Sequence, residues 1–415
     1  MNEYTFTGKT RTYLISGMGL GLLCLILSFF MDGMDHHPRF WSNFLHNSVF
    51  FTGIALMATF FIAVCITAWA GWHAIFKRVW EAFSQFLIVG FVLMLIIGIG
   101  IYANWHHLYH WAAEGVTTEG HEAYDSILAG KAGFLNTTWY VIIGGLIVLV
   151  WTYFAYKLRT LSLEEDKHGA GDPHFSFHRK MRWYAAAFLP IAGFSSAAMV
   201  WLWVMSVDSH WYSTLFAWYS GASWFVAMIA LTILVLIHLK EKGYFADVSA
   251  DHFHDLGKFM FAFSIFWTYL WFSQYMLIWY GNVGEETTYF RARIDQYPVL
   301  FYGNLLINFV VPFFVLMRND NKRKYGTLIF TSVVVFLGHW WDYFLMIKPG
   351  VLHTASHGHH HEGFTAGFTL PGLIELGTMV GFLCLFLYVV FTVLSRASLR
   401  AENDPFLEES LHHHV

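Results

Sequence analysis

The chain has 415 residues, of which 57% are hydrophobic, 20% aromatic and only 13% charged, with a mean hydropathy of +0.48. Soluble domains carry roughly 25% charged residues, so this composition excludes an ordinary soluble protein. A net charge of −4 without any basic run excludes a nucleic-acid binder.

In chain order, apolar stretches near or above the roughly 20 residues that cross a hydrocarbon core fall at 13–30, 44–70, 80–104, 138–156, 183–204, 211–238, 259–280, 297–317, 325–347 and 369–394. They predict an all-α integral membrane protein of ten transmembrane helices. A short N-terminus (1–12) precedes the membrane domain (13–394), and a tail (395–415) follows it. No small-residue cleavage site follows Phe30, so the first span is expected to be retained rather than removed as a signal peptide. Of the 24 Lys and Arg, 19 fall in the two termini and in the segments after spans 2, 4, 6 and 8, leaving 5 elsewhere. Because positive charge marks the cytoplasmic side, both termini are expected in the cytoplasm of a bacterium, with the chain multi-pass in its inner membrane.

Cys24, Cys65 and Cys384 lie inside spans without CxxC or CxxCH spacing, so they predict packing thiols and no iron–sulfur cluster or attached haem. A bis-histidine haem needs imidazoles at matching depth. His46 and His106 lie near outer span ends, His238 near an inner one, and Pro349-Gly350 is expected to put His353 in a loop, away from His339. The run from His357 to His361 could bind a divalent metal, although a solvated loop is the plainer reading. No metal site is assigned. Fourteen histidines are nevertheless expected on the outer side, where groups titrating near neutrality suit proton release.

Ionisable residues inside spans cost roughly 2.5–3.5 kcal/mol on insertion scales, so each needs a reason. In span 9, His339, Asp342 and Tyr343 share one helical face at i, i+3 and i+4. At 1.5 Å per residue, Asp342 is expected about 7 Å and His339 about 12 Å below the outer end, and Glu375 of span 10 about 9 Å below the same surface. Their convergence would line a quinol pocket or an outer proton path; a purely structural His339–Asp342 pair is the alternative. Span 8 carries Asn304, Asn308 and Pro312 at i, i+4 and i+8, a stripe more typical of interhelical contacts than of a pathway. Gln274 in span 7 also reads first as packing. Glu81, near Lys77 and Arg78, is either an interfacial ion pair or an inner proton-entry carboxylate, with Gln85 one turn deeper. In the short outer connection between spans 5 and 6, Asp208 is expected either to cap span 6 or, with His210, to meet quinol or a peripheral partner.

That connection carries a resemblance. The segment WLWVMSVDSHWYSTLFAWYSGASWFV (201–226), the run His254-Asp255-Leu256-Gly257-Lys258 before FAFSIFWTYLWFSQYMLIWYGN, the pair Glu285-Glu286, the span ending in Pro312-Phe313-Phe314, and Lys348-Pro349-Gly350 after Asp342 together resemble the NrfD/polysulfide-reductase-like membrane subunits. Within that group they are most similar to the second quinone-binding-type subunit of bacterial alternative complex III, the quinol:cytochrome c oxidoreductase. The likeness covers roughly 200–350 well and the first 180 residues poorly, and Gly284 departs from the Pro expected before the Glu pair.

The resemblance implies two four-helix bundles, spans 2–5 (about 44–204) and 6–9 (about 211–347), flanked by spans 1 and 10. It also implies a subunit with no redox cofactor of its own, quinol being its only candidate ligand. Its implied partners are a homologous ten-span subunit, periplasmic iron–sulfur and haem c subunits, a terminal oxidase, lipids and quinol. Two other classes stay open: a structural anchor for peripheral redox subunits, and a secondary transporter, against which the scarcity of in-span prolines counts, only Pro190 and Pro312 lying in spans away from their ends. The charged clusters of the 105–137 and 157–182 loops have no expected role.

Overall fold

The computed structural model describes residues 3–32, 36–170, 172, 174–355 and 370–414. Within them the chain is helical, with no strand beyond an isolated bridge between Glu3 and Ser398. Nine helical segments among the described residues are long and apolar enough to cross a membrane, which makes this a multi-pass membrane protein.

In order, they are α1 (Gly8–Phe30); α2 (Pro38–Thr67); α3 (Lys77–Ser84) continued by α4 (Leu87–Tyr102); a π-helical turn (Trp139–Ile143) continued by α6 (Gly144–His168); and α7 (Ser176–Trp203). Next come α8 (Leu215–Glu241); α11 (Pro298–Leu305) and α12 (Val311–Leu316), joined through a π-helical turn at Leu306–Val310; α13 (Tyr325–Ala355); and α14 (Leu373–Leu394). Helix α9 (Ala250–Gly281) has 32 residues, enough to span, and lies outside the nine. The remaining helices are short: α5 (Ser126–Lys131) in the 105–137 loop, α10 (Gly284–Gln296) between α9 and α11, and α15 (Leu407–Leu411) in the tail.

Helices α2 and α8 form the centre, each with 89% of its apolar window buried, whereas α1 buries only 22% of its own. Helix α2 packs on α4, α7 and α8, and α6 on α4 and α7; α8 packs on α9 and α13, and α12 on both α9 and α13. Helix α1 lies along α14, and both reach α2. That pair approaches closely because its seam is made of small residues: Gly21 meets Gly381, Gly17 meets Cys384 and Gly377 meets Cys24. A Cβ on Gly21 would run into the Cα of Gly381. With lipid as solvent, such backbone contact replaces the hydrophobic drive that holds soluble helices together.

Several ends follow from local chemistry. The Thr7 hydroxyl accepts from Thr10 N to open α1, Ser249 and His252 form a reciprocal cap on α9, and proline begins both α2 and α11. Helix α13 departs from expectation. It runs through Pro349 to Ala355, so His353 is helical rather than in a loop. Proline lacks the N–H that would bond the carbonyl four residues earlier. Here the freed Leu345 carbonyl accepts from Arg293 Nε at 3.0 Å, and the Met346 carbonyl accepts from Arg293 Nη2 at 3.1 Å. A side chain of α10 thus supplies the donor that the proline removed, which is how an interior Pro is tolerated in a membrane helix.

Both termini lie at one face, where Glu3 bridges Ser398 and Tyr4 packs on Phe391 and Tyr244. The tail is not free there. Asp404 pairs with Lys77, the Ser410 hydroxyl donates to the Trp72 carbonyl at 2.7 Å, and His413 meets Asp255 at 2.7 Å.

Candidate functional site

The extension of α13 moves Asp342 inward. It is the eighteenth of 31 residues, about 20 Å from the Ala355 end rather than about 7 Å below the surface. All three residues of the expected face meet α8. The Asp342 carboxylate accepts from the Tyr219 hydroxyl, His339 Nδ1 bonds the Ser223 hydroxyl at 2.9 Å, and the Tyr343 hydroxyl donates to the Ser220 carbonyl at 3.0 Å. His339 and Asp342 thus both meet α8 through hydroxyl groups, with Ser223 within reach of each.

Two further donors complete the carboxylate's surroundings. Trp267 Nε1 of α9 donates at 3.0 Å and Asn304 Nδ2 of α11 at 2.7 Å. Asn308 Nδ2 in turn donates to Asn304 Oδ1 at 2.6 Å. The polar stripe of span 8 thus delivers its first member to Asp342 and its second in support, through the π-helical turn that carries Asn308. Asp342, His339, Asn304 and Asn308 are all fully buried. Two polar atoms beside the carboxylate, His339 Nε2 and Asn308 Oδ1, are buried without a protein partner. Such atoms are the usual company of internal water.

On the side away from the termini, Tyr219 opens on a crevice lined also by Gln274, Tyr289 and Arg293, with about 10 Å³ of space for water centres, room for about one molecule. Gln274 Oε1 is buried there without a protein partner. Beyond it, Arg293 Nη2 donates to Asp208 Oδ2 at 2.8 Å, and the guanidinium lies 3.3 Å from the centroid of the Tyr289 ring. Burial alone would push the Arg293 guanidinium down, but Asp208 and Tyr289 oppose it and the net direction is upward. Asp208 therefore does not cap α8, which begins at Leu215. Its partner Arg293 had no sequence signal as a site residue, except that α10 would bring a cation back toward a short acidic hairpin.

His210 lies apart from this line, half-exposed, with Nε2 2.5 Å from Asp125 Oδ2. Burial pushes the Asp125 carboxyl up, but the bond from His210 and two backbone N–H groups outweigh it and hold it below its ordinary value. Lys131 strengthens the same junction by donating to the Ser209 and His210 carbonyls at 2.8 and 3.0 Å. The charges of the 105–137 loop thus tie it to the α7–α8 connection.

Glu375 does not converge with Asp342. Its carboxylate takes a two-point contact from Arg39, with Nε–Oε1 2.9 Å and Nη2–Oε2 3.2 Å, plus Asn43 Nδ2 at 3.2 Å and Gly372 N at 3.1 Å. Lys348 Nζ, fully buried, joins this cluster through Ser42 and Asn43, each at 2.6 Å. The expected grouping fails because Glu375 opens α14 against α2, while the face of α13 that bears Asp342 is turned to α8. Equal depth did not imply adjacency.

Glu81 lies toward the face that carries the termini, buried in a charge network. Arg78 Nη1 contacts it at 2.6 Å and Arg159 Nη1 at 3.5 Å. Arg78 also pairs with Asp166, and Lys77 with Glu165 at 3.7 Å and with Asp404. Burial raises the Asp404 carboxyl, but Lys77 beside it dominates and the net direction is downward. Gln85 follows one turn on, its amide donating to the Ser84 hydroxyl at 3.0 Å.

No family model and no curated protein matches this chain. Of the histidines weighed for haem, His46 bonds the Trp340 carbonyl and His106 the Ile97 carbonyl. Among the described residues no group of three or more His, Cys, Asp or Glu could hold a metal ion; the run from His357 to His361 lies outside them.

Proposed function

We propose that the chain is an integral membrane subunit of a quinol-oxidising respiratory complex, and that it contributes a proton path through its second half. The path runs from Asp342 through Tyr219 and the Gln274 crevice to Arg293 and Asp208 at the outer surface. Helix contacts support a ten-span reading with α9 as the seventh span, α2–α7 and α8–α13 forming two four-helix groups and α1 with α14 flanking them. The observation that carries the proton reading is Asp342 itself, a carboxylate midway along a transmembrane helix, held by three donors that bear no charge. Such a group can take and release a proton without breaking an ion pair, and its depth makes a charged state costly enough to need a purpose.

On this reading Glu81, with its network of Arg78, Arg159 and Lys77, is the inner entrance, and electrons travel through cofactors of partner subunits. Those partners are a homologous ten-span subunit, periplasmic iron–sulfur and haem c proteins, and a terminal oxidase. A structural anchor is the competing reading, favoured by the full set of donors around Asp342.

Gentle extraction followed by reduced-minus-oxidised spectra and identification of co-purifying chains tests the assignment. Haem c bands with quinol-dependent reduction are expected; a colourless preparation without partners overturns it. Replacing Asp342 by Asn in the complex is expected to lower quinol turnover or proton release at least tenfold, and unchanged values would leave the anchor.

A further inference from the structure

The seam between α6 and α7 carries charge that the fold does not use. Toward the face of the termini, the carboxylates of α6 and its cations part company. Glu165 and Asp166 turn inward to Lys77 and Arg78. Lys157 of α6 and Lys180 of α7 pair with no carboxylate among the described residues; each ammonium rests on a ring of its own helix, Lys157 Nζ 5.9 Å from the Tyr153 centroid and Lys180 Nζ 5.6 Å from that of Phe177. Cation–π contacts at exposed sites are weak, so both side chains can swing to a stronger partner.

The two lysines are matched in depth. The Tyr153 and Tyr184 rings meet edge-on across the seam at 6.5 Å. Lys157 follows Tyr153 by four residues and Lys180 precedes Tyr184 by four, so on these antiparallel helices both stand about 6 Å nearer the face of the termini than the tyrosine pair. Of the acids near this edge, Asp172 accepts from the Ser176 N–H and hydroxyl at the start of α7, and Glu164 lies two turns beyond Lys157, about 10 Å along α6. On the other side of the tyrosines the seam is apolar. Leu149 and Ile191 are exposed there, with the smaller Ala187 between their levels, a furrow that an acyl chain can follow. Exposed Tyr156 and Trp183 stand at the level where aromatic residues meet lipid head groups.

We propose that the α6–α7 seam seats one anionic phospholipid of the leaflet on the side of the termini, its phosphate between Lys157 and Lys180 and an acyl chain over Ala187. The order along the seam is that of such a lipid, with cations at the phosphate, tyrosines at the ester level and apolar side chains below. A zwitterionic head group would bring its own ammonium against the two lysines, whereas an anionic one brings none. The seat stands apart from the quinol-complex reading and does not rest on it.

Native mass spectrometry of the full-length chain in a neutral detergent, titrated with dioleoyl phosphatidylglycerol or dioleoyl phosphatidylcholine, tests this. The first phosphatidylglycerol is expected to bind about 25-fold more tightly than the first phosphatidylcholine, about fivefold for each lysine beside an anionic head group. Lys157→Gln and Lys180→Gln should each cost about fivefold and together erase the preference. Arg318→Gln with Lys324→Gln, which removes two exposed charges from another corner of the same side, should leave it intact. Ala187→Phe, which fills the furrow, should weaken phosphatidylglycerol as well, and glycerophosphate, the head group without chains, should not compete. Equal affinity for the two lipids, or a loss in the control pair as large as in the lysine pair, would overturn the proposal and leave a diffuse positive surface. Competition by glycerophosphate would overturn it in favour of a free-phosphate site. A seam that takes up phosphatidylglycerol in the isolated chain but retains none in an assembled complex would overturn it in favour of a subunit contact.

Discussion

Asp342 and Glu375 are both carboxylates buried to within 1% of full burial inside membrane helices, yet they are held in opposite ways. Glu375 faces a guanidinium at two points with a lysine close behind. Asp342 is surrounded by a phenol, an indole and an amide, and among the described residues no cation touches it. The first arrangement cancels charge with charge and fastens α14 to α2. The second spreads the cost of a charge over neutral dipoles and leaves it free to come and go. A buried carboxylate in a membrane is therefore read from its partners, not from its depth.

The sharpest way to break this contrast is to remove one cation. Arg39→Met strands Glu375, and taking one partner from a buried pair costs roughly 3–5 kcal/mol. Thermal unfolding of the detergent-solubilised protein should show that loss, and the double variant Arg39→Met with Glu375→Gln should recover most of it. If the single variant unfolds like the parent, the pair does not fasten these helices. Asp342→Asn, by contrast, has no cation to strand: its one acceptor oxygen keeps the Tyr219 and Asn304 donors, and only the Trp267 N–H, which bonds the other carboxylate oxygen, loses its acceptor. It should cost about 1–3 kcal/mol, less than Arg39→Met, while turnover collapses. Equal destabilisation of Asp342→Asn and Glu375→Gln would erase the distinction.

Arg293 stands between the two cases, because it serves a carboxylate and a broken helix at once. Arg293→Gln leaves the Leu345 and Met346 carbonyls short of donors, at about 2 kcal/mol by the cost of unsatisfied buried groups. Pro349→Ala in that background restores the helix's own N–H to Leu345 and should return part of the loss. A variant that gains nothing from Pro349→Ala would show that Arg293 matters through Asp208 alone.

These residues also show how far the sequence could be read. Apolar runs long enough to cross the bilayer disclose the helices, since length alone decides them in a hydrocarbon solvent. Helical spacing correctly put His339, Asp342 and Tyr343 on one face, since spacing is a property of a single helix. Spacing is silent about which neighbour that face meets, and so the partners Tyr219, Trp267 and Arg39 had no signal. Pro349 was expected to end α13 because a missing N–H is visible in sequence, whereas the side chain that replaces it comes from α10, 56 residues earlier. The asparagine stripe was legible as polar, but only the packing of α11 on α13 gave it a carboxylate to serve.

The mildest effect expected lies at the face that carries the termini, where one imidazole is buried beside the charge network. His73, between α2 and α3, is buried and stacks on Trp80 at 5.7 Å. Burial lowers its imidazole from 6.5 to about 4; Asp404, the Ala70 carbonyl and Glu81 pull it back up, while Lys77 adds to the lowering. A folded value below the unfolded one means that the contribution is complete above about pH 6.5 and is lost as pH falls through 6.5 toward 4. Between about pH 7.5 and pH 5.5 that loss is about 1 kcal/mol. The tail sits over this site, since Ser410 contacts the Trp72 carbonyl and the Ile75 N–H. Limited proteolysis of residues 395–414 should therefore quicken over the same interval. His73→Phe keeps the stacking, cannot protonate, and should flatten that response. A parent chain whose tail is cut at the same rate at both pH values would show that the imidazole is hydrated and that its burial sets no threshold.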